Sequence, residues 1–497
     1  MPADEPSAAH TYSITWTDAM HRVLVELQQR RLLHRLLAVA AQGGVQLYLV
    51  GGALRDICRG HPVHDLDLAM AGDVMSFARR VASLLGAAYV PLDAARGEAR
   101  VVYHKHESLD FAQFKGDSII ADLQHRDFTI NAMACPLTAL LTRAAPDLID
   151  PHGGWQDLRA RRIRMVSHLS FGEDPLRLLR AFRFAAQLDF GLDPVTCETM
   201  QTLAPRLREV AAERIQSELL KLFAAPSSSP HLMTMARLGL LDSLFPELAT
   251  TRGLPCRLGQ PLELFTHAIQ TYQAVEAIIH NPDSHLPQIA PALRQYFLAE
   301  ERQALVKWAG LLHAIGAAVA ESQASSRPAT ACGNSLVSAQ LWEQIGSRLK
   351  LSRKHLDCVH TFIAHSGRAL ELAIGEAQEH LTVRRMYGWC KALGDSMLGV
   401  LVLALGHTLA AGPADTACPS AVALRRFATR MWEVYRNRIL PVITAPRLIT
   451  GDDLQQIFHL PPGPRFKSLL NDLEVAQVEG QIRTRDEALQ WVEAQLR

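Results

Sequence analysis

Residues 46–70 read QLYLVGGALRDICRGHPVHDLDLAM, and the rest of the chain is arranged around them. Residues 46–50 are apolar and β-prone, Gly51 and Gly52 interrupt them, and residues 53–58 hold helix formers around Arg55 and Asp56. Residues 63–70 return to strand, where successive side chains alternate between faces. Asp65 and Asp67 therefore share one face, while Leu66 and Leu68 point into a core. Adjacent carboxylates repel each other unless a cation stands between them. Two Mg²⁺ ions about 3.5–4 Å apart, clamping the attacking and leaving oxygens of a phosphoryl or nucleotidyl transfer, are the usual reason for such a pair. Gly51 and Gly52 let backbone N–H groups approach a polyanion at a helix start. The bland alternative for the aspartates alone is a solvated strand edge.

At 497 residues the chain is too long for one core, so several domains are expected. Its composition, 48% hydrophobic and 20% charged, describes an ordinary soluble protein. No run of eighteen uncharged apolar residues suggests a membrane span, and the first residues lack the pattern of a secretory leader. Eight cysteines without a CxxC pair suit reduced thiols in a cytoplasm and give no zinc spacing. A net charge of +1 does not point to nucleic acid globally. Locally, RARRIR at 159–164 and the arginines at 177, 180 and 183 supply basic clusters able to hold phosphates.

Residues 1–15 are expected to be disordered, and 16–42 to form one amphipathic helix ended by Gly43 and Gly44. Asp73 should cap a helix over 74–85 that Gly86 stops. Segments 88–92, 99–103 and 108–114 complete a small sheet. Asp110 lies in the last of these, either beside the aspartate pair as a third carboxylate or simply exposed. Residues 125–134, HRDFTINAMA, read as a connection into a helix that Thr129 or Asn131 helps cap. DPHGGWQDL at 150–158 has the chemistry of a tight turn. In FGEDPLRLLRAFRFAAQLDF, 171–190, Asp174 and Pro175 start a helix on which Arg177, Arg180 and Arg183 form a ridge.

Taken together, GGALRD followed by DLD, HRDFTINA, DPHGGWQDL and EDPLRLLR resemble the bacterial CCA-adding tRNA nucleotidyltransferases and poly(A) polymerases. The resemblance implies an α+β fold: a polymerase-β-like nucleotidyltransferase head with a small mixed sheet, then an all-α neck, body and tail. Its implied divisions are an N-terminal helical extension (1–45), head (46–150), neck (151–225), body (226–440) and tail (441–497). It also implies Mg²⁺ on Asp65 and Asp67, with Asp110 as a candidate third acid. Gly51, Gly52, Arg55, Arg126 and Asp127 would hold the nucleotide. Asp174 and Arg177 would read the base of CTP or ATP as a protein template, with Arg180 and Arg183 on nucleotide or neck contacts. A carboxylate accepts from an exocyclic amine and a guanidinium donates to ring acceptors, so the idea is chemically sound. His125 stands where the family usually has arginine.

Beyond a linker at 225–230 the chain is mainly helical, with a mobile loop expected at 322–335. His267, His313 and His365 have a spacing similar to that of HD-type phosphohydrolases. Ala314 replaces the aspartate of that pattern, and LALGH supplies His407 and no carboxylate. The expectation is a scaffold that has lost its metal and keeps satisfied core histidines. The tail from 446, ITGDDL through LPPGP to AQVEGQIRTRDEAL, resembles that of the tRNA enzymes and makes the tRNA 3′ end the favoured acceptor. Three rivals stay open: a poly(A) polymerase; a partial enzyme adding only CC or only A, suggested by the eleven residues between Phe114 and Arg126; and a phosphohydrolase or silent RNA-binding protein.

Overall fold

The structure is a computed structural model that describes residues 11–104, 107–256, 262–322, 331–377, 381–411, 419–461 and 463–496. Its backbone divides into two compact units, one of residues 1–210 with 238–240 and one of 211–237 with 241–497.

In the first unit the expected N-terminal helix is two helices, α1 (Asp18–Gln29) and α2 (Arg31–Gln42). The break is at Arg30, whose backbone is extended and whose guanidinium donates to the Val63 carbonyl at 2.8 Å. Thr17 caps α1, and both helices bury leucines, among them Leu24, Leu27, Leu33 and Leu36. Of the segment expected to be disordered, residues 1–10 lie outside the described residues. Thr11–Tyr12 forms β1, an edge strand paired antiparallel with Leu148–Ile149.

The remaining strands are β2 (Tyr48–Val50), β3 (Asp65–Met70), β4 (Ala88–Asp93), β5 (Glu98–His104), β6 (Glu107–Gln113), β7 (Ala134–Pro136) and β8 (Leu148–Ile149). They form one mixed sheet in the order β1-β8-β7-β2-β3-β6-β5-β4. All its pairings are antiparallel except β3 with β6, and that parallel pair carries the acids. Helix α3 (Gly51–Cys58) starts directly from β2, and α4 (Val74–Leu85) is capped by Asp73 and stopped by left-handed Gly86 as expected. Then follow α5 (Ile119–Gln124), α6 (Leu137–Thr142), α7 (Gly154–Arg159), α8 (His168–Glu173) and α9 (Arg177–Leu188). Instead of a capped α-helix after Asp127, one 3₁₀ turn (Thr129–Asn131) leads to β7, because the Asn131 side chain is engaged across the site and does not cap.

The second unit is helical apart from a two-stranded antiparallel ribbon that pairs Pro255–Cys256 with Leu262–Glu263. Helices Ala212–Ala224, Leu264–His280, Glu300–Leu312, Ala331–Arg348, Arg353–Ala377 and Met397–Ala411 pack around Phe223, Phe245, Tyr272, Trp308 and Trp342. Of the loop expected at 322–335, residues 323–330 lie outside the described residues, and the helix already begins at Ala331. Among the described residues one helical run, Val383–Ala410, is long and apolar enough to cross a membrane; 67% of its apolar window is buried inside the protein, as in a core helix. The tail helices Gly451–Gln456, Pro464–Val478 and Arg485–Leu496 close over a small core that includes Leu454, Leu473 and Val492.

Candidate active site

The turn from β2 into α3 places Gly51 at φ +66°, a left-handed conformation that side chains rarely adopt. A Cβ there would meet Asp67 Oδ2 at 3.0 Å, so the conformation requires glycine and a side chain would also displace the Asp67 carboxylate. The Ala53 N–H, at the start of α3, points to Asp67 Oδ2 at 3.4 Å. Asp65 is exposed and accepts from Ser108 Oγ at 2.7 Å.

The parallel register sets Asp67 directly opposite Asp110, so the third carboxylate does join the pair's face. Its charge is already engaged: Arg100, opposite Asp110 on β5, donates to it with Nε and Nη2, each at 2.7 Å. Burial pushes the Asp67 carboxyl above its ordinary range, and Asp110 adds to that push against the opposing pull of the Ala53 N–H and Arg126. A half-buried carboxylate facing a second one is where a divalent cation gains most, so the donor set fits one.

Around the acids lies a cavity of about 390 Å³, lined by Gly51, Gly52, Arg55, Asp67, Asp110, Arg126, Asp127, Asn131, Arg180 and Phe184, among others. Arg126 is held by Asp122 through Nε and Nη2 at 3.2 and 2.9 Å. Buried Arg55 grips Asp56 with two donors and reaches Asn131 Oδ1 at 2.9 Å. Asn131 Nδ2 in turn donates to Asp127 Oδ1 at 3.1 Å. Asp127 takes both Nε and Nη2 of Arg180 at 2.9 and 2.7 Å, plus the Phe128 N–H. Burial alone would raise this carboxyl; Arg180 and the hydrogen bonds outweigh it and hold Asp127 below its usual range.

Asp174, Arg177, Arg183 and Asp65 do not line the cavity. Asp174 caps the turn before α9, accepting from the Leu176 N–H at 3.2 Å. Arg177 is buried, with Nη1 donating to Ser170 and Nη2 to the His125 carbonyl at 2.7 Å. His125 keeps an acidic neighbour despite replacing arginine, since its Nδ1 is 3.2 Å from Glu173. The arginine ridge is therefore no solvated face; it ties α9 to the HRDFTIN segment.

Sequence reading missed Phe184, Asn131, Arg100 and Asp122 as site components. Phe184 has the guanidinium carbons of Arg55, Arg180 and Arg183 at 5.3, 5.3 and 4.2 Å from its ring centroid. Its signal was present: it stands four residues after Arg180, on the same helix face. Arg100 and Asp122 carry no local signal.

A family model described as the poly A polymerase head domain matches residues 47–164. A probable RNA- and SrmB-binding site of polymerase A matches 189–251, and tRNA nucleotidyltransferase domain 2 matches 429–492. The chain is 31% identical over 455 residues to a CC-adding tRNA nucleotidyltransferase of Synechocystis sp., covering 90% of this chain and 93% of that one. It is 32% identical over 457 residues to an A-adding tRNA nucleotidyltransferase of Deinococcus radiodurans, covering 90% and 94%. In fold it is similar to the Thermotoga maritima CCA-adding enzyme complexed with tRNA, with a TM-score of 0.63, 20% identity and coverage of 96% and 98%. The head with its facing acids, the helical remainder and these full-length likenesses make one conclusion: this chain is an enzyme of the tRNA nucleotidyltransferase and poly(A) polymerase family, whose chemistry uses divalent metal ions.

Proposed function

We propose that the protein adds nucleotides from CTP and ATP to the 3′ end of tRNA without a nucleic-acid template, releasing pyrophosphate. The observation that carries this reading is one cavity in which Asp67 faces Asp110, the β2–α3 glycine turn borders them, and Arg126 and Arg180 stand on the wall. Asp65 and Asp67 would hold Mg²⁺, which when bound supplies the Lewis acidity for a 3′-hydroxyl nucleophile and a pyrophosphate leaving group. Asp110, opposite Asp67 in the parallel register, would serve the same ions once released from Arg100. Backbone N–H groups at Gly51 and Gly52 and the guanidiniums of Arg55 and Arg126 orient the triphosphate. The bond from the 3′-oxygen to the α-phosphorus forms as the bond to pyrophosphate breaks.

Within the neck (151–225) Asp174 and Arg177 remain the proposed base-reading pair. For Arg177 this means exchanging the His125 carbonyl for a base edge, which links base selection to the HRDFTIN segment. Asp127 and Arg180 support the site by holding α9 against the head, and Arg183 buttresses Phe184. The body (226–440) and tail (441–497) would carry the tRNA. Six described cysteines are free thiols, which suits cytoplasmic residence.

The test uses purified chain, Mg²⁺ and tRNA transcripts ending before CCA, after C or after CC, each with one NTP. Extension by CTP or ATP is expected; if no transcript is extended, the proposal fails. Unlimited extension of oligo(A) would transfer the assignment to poly(A) synthesis. A second reading, CC addition alone, is favoured by one feature: residues 115–125 hold a short helix, α5, clamped by Asp122, which accepts from the Lys115 N–H at 3.0 Å and from Arg126. Failure with ATP on the transcript ending in CC would decide for it.

A further inference from the structure

His267 and His407 lie on two helices of the second unit and His313 caps the C-terminus of a third, and one nitrogen of each lies within 4.8 Å of the others. His267 Nε2 is 3.1 Å from His407 Nδ1, which is 2.6 Å from His313 Nε2. His365, which the spacing suggested, is not among them. The approach is built into the helices. A Cβ on Gly406 would lie 2.7 Å from Val275 Cγ2 and 3.3 Å from its backbone N, so the helices carrying His267 and His407 nearly touch through their main chains.

Hydrogen bonding satisfies this cluster only through a long contact: when His407 Nδ1 donates to His313 Nε2, His267 Nε2 is left the Thr271 hydroxyl at 3.5 Å. His313 Nδ1 lies 2.9 Å from the Gly310 carbonyl, so a neutral His313 carries its proton there and leaves Nε2 bare. His407 Nδ1 stands between that lone pair and His267 Nε2 with at most one proton to share. If it donates to His313, it has nothing for His267 and cannot accept from it. Each ring in its neutral form can turn one nitrogen lone pair toward the point the three nitrogens share. One cation satisfies all three together.

We propose that His267, His313 and His407 form a binding site for a single borderline divalent transition-metal ion, of which Zn²⁺ is the type. Imidazole suits such ions, whereas Mg²⁺ seeks oxygen ligands, and Ala314 beside His313 supplies none. Three protein ligands leave a fourth position for water or an anion, with Thr271 Oγ1, 3.5 Å from His267 Nε2, able to orient it. The site is independent of the Asp65 and Asp67 centre in ligand type.

The full chain, stripped with chelator and dialysed against Zn²⁺ or Co²⁺, should retain about one equivalent by elemental analysis, as three-histidine sites do. The Co²⁺ form should show the intense visible d–d bands of a four-coordinate nitrogen site. His407→Gln and His313→Gln should lose the ion and the bands, while a D65A/D67A variant keeps both. No retained metal in the folded wild-type chain overturns the proposal, and so does metal that persists in both histidine variants or leaves with the aspartate variant. Should a histidine variant not fold, the wild-type and aspartate-variant measurements decide alone.

Discussion

The two units bury charge in opposite ways. In the first unit, Arg180 donates twice to one oxygen of Asp127 and keeps 32% of its side chain exposed at the cavity wall. In the body, Lys307 is 0% exposed and spends its donors on Glu276, the Ala225 carbonyl and Ser228. Glu276 accepts as well from the N–H groups of Ser228 and Ser229, which with Lys307 outweigh burial and keep its carboxyl below the usual range. The body network is closed on itself and fastens the segment after helix Ala212–Ala224 to the bundle. The head network is open on one side, and a ligand can reach what it positions. Saturated buried charge is architecture; partly satisfied charge at a cavity is machinery.

Replacing Asp67 by Ala should have the largest effect. With Asp67 as the proposed metal ligand, its loss removes several kcal/mol of transition-state stabilisation, so extension of tRNA should fall about 10³-fold or more, with the circular dichroism unchanged. Activity within tenfold of wild type would erase the distinction between the units. Next, Lys307→Met should cost about 3–5 kcal/mol in urea unfolding, because it leaves Glu276 buried and uncompensated. Arg180→Ala should cost less, about 2–3 kcal/mol, since water reaches that side of its pair. The reverse order would break the comparison. The sign with pH follows from the lowered carboxyls: the stability that Asp127 and Glu276 contribute is present above the unfolded carboxylate pKa and is lost as pH falls through the lower folded values.

Phe184→Leu should be milder still. It removes the ring shared by three guanidiniums, worth about 1 kcal/mol, and should raise the KM for nucleotide about fivefold in initial-rate assays with little change in kcat. The smallest effect concerns Asp67 itself. Its carboxyl lies above the ordinary range, so protons compete with metal at a higher pH than usual, and the acid limb of the rate profile should move to lower pH as Mg²⁺ is raised. A limb indifferent to Mg²⁺ would mean that another group titrates.

Much of the head was legible because its signals are local. The strand, glycine turn, helix and acid-bearing strand lie within 25 residues, and the Asp73 cap and Gly86 stop fell where expected. The helix expected after Asp127 failed for a long-range reason, since Asn131 bridges to Arg55, 76 residues away. The continuous helix over 16–42 failed because Arg30 finds the Val63 carbonyl. Periodicity reports faces, and it does not report a side chain's distant partner.

By itself the sequence determined the local pattern: two aspartates on one strand face, glycines that free the backbone, and arginines spaced along one helix. Short-range geometry fixes these, because strand alternation and the helix turn need no distant partner. Only the tertiary structure decided that Asp110 sits opposite Asp67, through a parallel register between β3 and β6. It also decided that Arg180 serves Asp127, 53 residues away, and that His407 rather than His365 meets His267, across 140 residues. Those pairings depend on which elements pack together and how closely, and glycine at 406 sets that closeness where no motif announces it.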